Sequence, residues 1–151
     1  MTRGDPIVAT LVDSIVSDNQ SVNGGAIAIF AGSLELNKTT ISGNIASIDA
    51  GAIYAEQSSV SFFNSTISGN SAAQNGGAIS TVFNEPNIQT FISDLTIFNS
   101  TVSANSAGLS GGAIHLDVNN GLANSITAAN SLISGNAATN FSEIFNSGSQ
   151  V

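Results

Sequence analysis

Apolar and polar residues alternate along this chain in short runs, and no stretch carries a sustained helical stripe. Leu34-Glu35-Leu36, Val60-Ser61-Phe62 and Leu95-Thr96-Ile97 each set one polar residue between two apolar ones, the period-two pattern of a strand with one buried face. Ile27 with Ile29, Ile53 with Ala55, and Ile114 with Leu116 repeat the pattern, and Thr66-Ile67-Ser68 places one apolar residue between two hydroxyls. Glycine pairs and asparagines interrupt these runs at regular offsets, so each predicted strand is only a few residues long.

The interruptions are themselves a repeat. One signature reads Gly24-Gly25-Ala26-Ile27, Ala50-Gly51-Ala52-Ile53, Gly76-Gly77-Ala78-Ile79 and Gly111-Gly112-Ala113-Ile114, with a degraded copy at Ser142-Glu143-Ile144. The other ends in Asn19, Asn44, Asn70, Asn105 and Asn136, at intervals of 25, 26, 35 and 31 residues. Self-similarity at such a period marks a solenoid. The expected fold is all-β: a right-handed single-stranded parallel β-helix, with coils of roughly 26 residues that rise about 4.8 Å each. Three short strands and three corners per coil are predicted. The whole of 1–151 reads as one domain, with coils near 7–24, 25–50, 51–75, 76–110 and 111–141 and insertions near 83–91 and 117–122.

Stacking turns each inward position into a column. Val16, Ile41, Ile67, Val102 and Ile133 form one; Leu34, Val60, Leu95 and Ile126 a second; Ile27, Ile53, Ile79 and Ile114 a third. Residues of similar size in a column pack without voids. The five asparagines are expected to form a ladder, each amide bonding the next coil. The glycine pairs are expected to supply a positive φ or a close approach between layers.

GGAI alternating with a residue, two positions and then Asn resembles the paired GGAI and FxxN repeats of the chlamydial polymorphic outer-membrane protein family. Val16, Ile41, Ile67, Val102 and Ile133 stand where that family has Phe. The chain is also similar to large bacterial surface proteins with NSTISGNSA-type repeats. The resemblance covers roughly Ile7 to Ile144 and implies secretion, a surface-exposed passenger and adhesion. Met1 to Pro6 is not followed by the apolar run of a signal peptide, and no apolar stretch approaches transmembrane length. Another export route, a mature product or an excised piece is expected on that basis.

Charge narrows the partners. Ten acidic residues oppose two basic ones, a net charge of -8. Arg3 and Lys38 alone cannot neutralise a phosphate backbone, so nucleic acid is excluded, and anionic membrane is disfavoured. Cysteine is absent, which removes disulfides and thiolate metal sites. No cofactor, metal site or catalytic set is expected. Asp13, Asp18, Asp49, Asp94 and Asp117 are scattered singly, and no Lys follows a glycine pair as a phosphate loop requires.

The two insertions fall between the same elements, and loops growing from one face of a solenoid are its usual binding elements. Glu85, Asn87, His115, Asp117 and Asn119 are therefore the candidate binding corner. Other signals have plainer readings. Arg3-Gly4-Asp5 matches an integrin tripeptide by chance, and Asn64-Ser65-Thr66 and Asn99-Ser100-Thr101 are glycosylation triplets that the repeat itself generates.

The expectation is thus a non-enzymatic extracellular or bacterial-surface solenoid, adhesin-passenger-like, with glycans or a host surface as its target. Strands begin and end close to the termini without polar caps, which suggests either coils of a longer chain or head-to-tail stacking of copies into a filament. The alternatives are a polysaccharide-binding or polysaccharide-cleaving β-helix, and an ice-binding solenoid with Thr40, Thr66 and Thr101 outward. The last array is broken by Ile15 and Leu132.

Overall fold

The structure, a computed structural model, describes residues 7–82, 93–117 and 124–146. Its first coil holds β1 (Ile7–Val12), β2 (Ile15–Ser17), β3 (Gln20–Ser21) and β4 (Ile27–Phe30). The second holds β5 (Gly32–Asn37), β6 (Thr40–Ser42), β7 (Ile45–Ala46) and β8 (Ile53–Glu56). The third holds β9 (Ser59–Phe63), β10 (Thr66–Ser68), β11 (Ser71–Ala72) and β12 (Ile79–Val82). The fourth holds β13 (Asp94–Phe98), β14 (Thr101–Ser103), β15 (Ser106–Ser110) and β16 (Ile114–Leu116). The fifth holds β17 (Ser125–Ala129), β18 (Leu132–Ser134), β19 (Ala137–Asn140) and β20 (Ile144–Asn146).

Equivalent strands pair in parallel, giving four five-stranded sheets, here I (β1-β5-β9-β13-β17), II (β2-β6-β10-β14-β18), III (β3-β7-β11-β15-β19) and IV (β4-β8-β12-β16-β20). The three strands per coil expected from the sequence are therefore four. Sheet III was invisible to the pattern because two of its middle strands are two residues long and its inward residues are Ser21, Ala46, Ala72, Ala107 and Ala138. One small inward side chain per strand leaves no alternation to detect. The described residues contain no helix, and so none long and apolar enough to cross a membrane.

The core is the space inside the coils. Leu34, Val60 and Leu95 stand in one register column, and Leu36, Phe62 and Ile97 stand two positions on in the same strands. Ile41, Ile67 and Val102 line sheet II, and Ile53, Ile79 and Ile114 line sheet IV. All of these are buried in one apolar cluster, each contributing about 1.5–3 kcal/mol of gross transfer energy.

The corners on either side of sheet II join a left-handed residue to a polar rung. Between sheets I and II, Asp13, Lys38, Asn64, Asn99 and Asn130 have φ of 48–53°. A hydroxyl follows, and Thr39, Ser65 and Ser100 each donate a backbone N–H to the hydroxyl one coil on, at 3.0–3.1 Å. This Ser/Thr ladder is why Asn-Ser-Thr triplets recur: an αL residue, a rung, then an outward Thr opening sheet II. Between II and III, Gly43, Gly69 and Gly135 have φ of 65–68°, with Asp18 and Ala104 at 59° and 54°; the asparagine ladder follows.

The glycine pair splits its two tasks. Its first member, at Gly24, Gly76 and Gly111, has φ of 64–66°. Its second does not; there the coils approach so closely that a Cβ on Gly25, Gly51, Gly77 or Gly112 would stand 2.1–2.2 Å from a carbonyl oxygen of the next coil. Ala50 and Phe141 occupy the first position at φ 62° and 54°, a conformation that costs a side-chain-bearing residue about 1–2 kcal/mol.

Candidate functional site

The repeat gives its polar signature residues to the interior. Asn44, Asn70, Asn105 and Asn136 are buried. In each step the amide Nδ2 donates to the Oδ1 of the next coil's asparagine: Asn19 to Asn44 at 3.0 Å, then Asn44 to Asn70, Asn70 to Asn105 and Asn105 to Asn136 at 2.9 Å. The backbone N–H of the same residue donates to that oxygen too. A shorter run of the opposite sense lies between sheets III and IV: Asp49 N–H donates to Asn23 Oδ1, and Asn75 donates from N–H and Nδ2 to Asp49 Oδ1.

Chemistry-bearing side chains gather instead on the face of sheet IV turned away from the core. There the register aligns Ala28, Tyr54, Ser80, His115 and Phe145 in one column. Tyr54 Oη donates to Glu56 Oε2 at 3.3 Å, and the Ser80 hydroxyl lies 3.4 Å from His115 Nδ1. Rings extend the column at both ends. Phe30 leans on Tyr54 with centroids 6.0 Å apart, and Phe145 stacks on His115 at 5.2 Å and meets Phe141 at 4.8 Å.

Burial sets the electrostatics of this column. It lowers the His115 pKa below its ordinary value, more strongly than the charges of Asp117 and Asp49 raise it, so the imidazole is neutral at pH 7. The Tyr54 phenol is pushed up to about 12 by burial first, then by the charge and hydrogen bond of Glu56, and by Asp49 and Asp117. Both groups are held neutral beside carboxylates. Ser80 is fully buried, so the hydroxyl–imidazole pair is closed to a substrate and acts as two packed rungs. Among the described residues no three His, Asp or Glu side chains converge as a metal site.

Of the predicted corner, Glu85, Asn87 and Asn119 lie outside the described residues, as does Arg3-Gly4-Asp5. His115 lies on β16, and Asp117 follows that strand directly. Asp117 N–H donates to the Thr81 carbonyl at 2.9 Å, and its own carbonyl accepts from Asn124 Nδ2 at 2.9 Å. Asn124 also donates to Thr81 Oγ1 and accepts from the Ser93 N–H. It thereby pins both ends of the connection between β16 and β17. The sequence reading missed Asn124, Tyr54 and Glu56. Laying the coils out at their own intervals would have put Tyr54 beneath Ser80 and His115; Asn124 carries no such signal, since its corner partners are Gly32, Ser58 and Ser93.

The Chlamydia polymorphic membrane protein repeat matches this chain twice, at residues 38–56 and 64–82. Each matched stretch runs from the corner before sheet II through a complete sheet II, III and IV passage, so the matches coincide with consecutive turns of the solenoid. No curated protein and no solved structure matches the chain.

Proposed function

We propose that this chain is a surface-displayed, non-enzymatic β-solenoid, adhesin-passenger-like, that presents a contact face to glycans or a host surface. One observation carries this reading: the residues that recur with the membrane-protein repeat are consumed by the scaffold. Ile41, Ile67 and Ile79 are core, Asn44 and Asn70 are ladder rungs, and Gly51 and Gly77 are coil contacts. What differs from coil to coil is left to make contacts. We place the contact where sheet IV passes into sheet I, because Asp117 stands there and residues 83–92 and 118–123 both join those two sheets. Aromatic rings beside carboxylates suit the apolar faces and hydroxyls of a saccharide.

Binding of the purified chain to glycan panels and to cell surfaces tests the reading. Deleting residues from both connections to restore the 26-residue interval should abolish binding while the strand content of the circular dichroism spectrum persists. Turnover of a polysaccharide by the unmodified chain would replace this reading with an enzymatic one. Binding unaltered by the deletions would move the contact to the smooth outer faces of the sheets.

A further inference from the structure

We propose that Glu143 caps the asparagine ladder, and that replacing its carboxylate with a small neutral side chain lets the C-terminal coil stack on the N-terminal coil of a second copy. In every earlier step the asparagine Nδ2 reaches the Oδ1 of the next rung. At the last described rung, Asn136 Nδ2 still donates to the Val102 carbonyl behind it, but its forward bond goes to Glu143 Oε2 at 2.6 Å. The carboxylate takes the amide bond that a sixth asparagine's oxygen would take.

The position of Glu143 supports this. Ile144 is in register with Ile114, so Glu143 occupies the place held by Ala26, Ala52, Ala78 and Ala113 in the other coils. Ala52, Ala78 and Ala113 are fully buried in the core. A carboxylate in that column is incompatible with a coil stacked on it, because it would be buried without a countercharge. At the end of the stack it is free to turn back to Asn136.

The opposite end is shaped to receive a coil. Asn19 makes the same forward bonds as the interior rungs, and its Oδ1 has no donor among the described residues. Ala9 is the small member of the column that continues through Leu34, Val60, Leu95 and Ile126. Beside it opens an apolar cavity of about 290 Å³, lined by residues that include Ile7, Ala9, Ile27, Ile29 and Leu34. Continuing the register across copies sets Ile126 over Ala9, Ala128 over Leu11, Ile133 over Val16 and Ile144 over Ile27, large on small or β-branched on β-branched. The three residues of β18 would pair with the three of β2, and Asn136 would donate to Asn19. This rests on the reading of the chain as a solenoid whose copies add end to end.

The test compares the unmodified chain with Glu143→Ala, Glu143→Ser and Glu143→Gln by sedimentation velocity and electron microscopy. About 0.15 M salt limits repulsion between the acidic copies to roughly 8 Å. The unmodified chain and Glu143→Gln, whose amide oxygen keeps the bond to Asn136, should remain single particles. Glu143→Ala, which restores the alanine column, should form unbranched chains, and Asn19→Ala added to it should return single particles. Glu143→Ser is likewise small and uncharged and should assemble detectably; it carries the test if the alanine variant does not fold. Chains formed equally by the unmodified protein or by Glu143→Gln would overturn the cap and leave end-to-end stacking standing. Folded, dispersed Glu143→Ala and Glu143→Ser would overturn both, as would irregular aggregates insensitive to Asn19→Ala.

Discussion

Asn70 Nδ2 donates to Asn105 Oδ1 at 2.9 Å, while Asn70 Oδ1 accepts both the Asn44 amide and the Asn44 backbone N–H. One side chain thus serves three coils. The same Nδ2 also meets the carbonyls of Ile41 and Ser68, so every polar atom of a fully enclosed amide is occupied. Aligned amides polarise one another, and the run is worth more than its separate bonds.

Asn70→Ala should therefore be costly out of proportion to its size. It leaves the buried Asn44 N–H without its acceptor, and takes one acceptor from the Asn44 Nδ2 and one donor from the Asn105 Oδ1. An unmet buried polar group costs about 1–3 kcal/mol, on top of the cavity left by the amide. A loss of about 3 kcal/mol or more in urea denaturation is expected. Asn19→Ala, at the exposed end of the same ladder, should cost well under half of that.

Opposite effects are expected from neighbouring residues of one corner. Gly51→Ala would place a Cβ 2.2 Å from the Gly77 carbonyl oxygen and 2.5 Å from the Ser71 nitrogen. Backbone on both sides cannot give way, so a loss of about 3 kcal/mol is expected. Ala50→Gly relieves a left-handed alanine at φ 62° and should gain about 1 kcal/mol, raising Tm by about 2–4 °C in a chain of this size.

Tyr54 gives an alkaline signature. It is the only tyrosine, and tryptophan is absent, so absorbance at the tyrosinate band reports it alone. Its pKa is about 12 in the folded chain against 10.0 unfolded. A raised acid pKa favours folding fully below pH 10, and that stability falls as pH rises from 10 towards 12. The native titration should lie near 12 and the denatured one near 10. Tyr54→Phe should remove this component of the alkaline stability loss, and a native midpoint near 10 would show the phenol to be solvated.

His115, the only histidine, gives the acid counterpart. Its folded pKa is lowered from 6.5, so the unfolded chain binds the proton first. Stability is complete above pH 6.5 and declines as pH falls below it. His115→Gln should flatten the stability profile between pH 7 and 5, and the imidazole NMR shift should titrate below pH 6.5 in the folded chain.

The sequence by itself determined the stacked-coil architecture, the three large inward columns and the asparagine positions. These follow from local period and from residue type repeated at one interval. The structure added what spacing cannot carry. Sheet III escaped notice because an inward alanine on a two-residue strand has no alternation. The two members of each glycine pair look alike in sequence, and only the coil-to-coil distance shows that the first bends the chain while the second lets a carbonyl pass. Tyr54, Ser80, His115 and Phe145 share no residue type, so nothing local links them; parallel register alone brings them onto one face. Glu143 reads as decay of the GGAI motif, yet the fold sets it against Asn136, because parallel register alone brings a side chain at that position within reach of the last described rung.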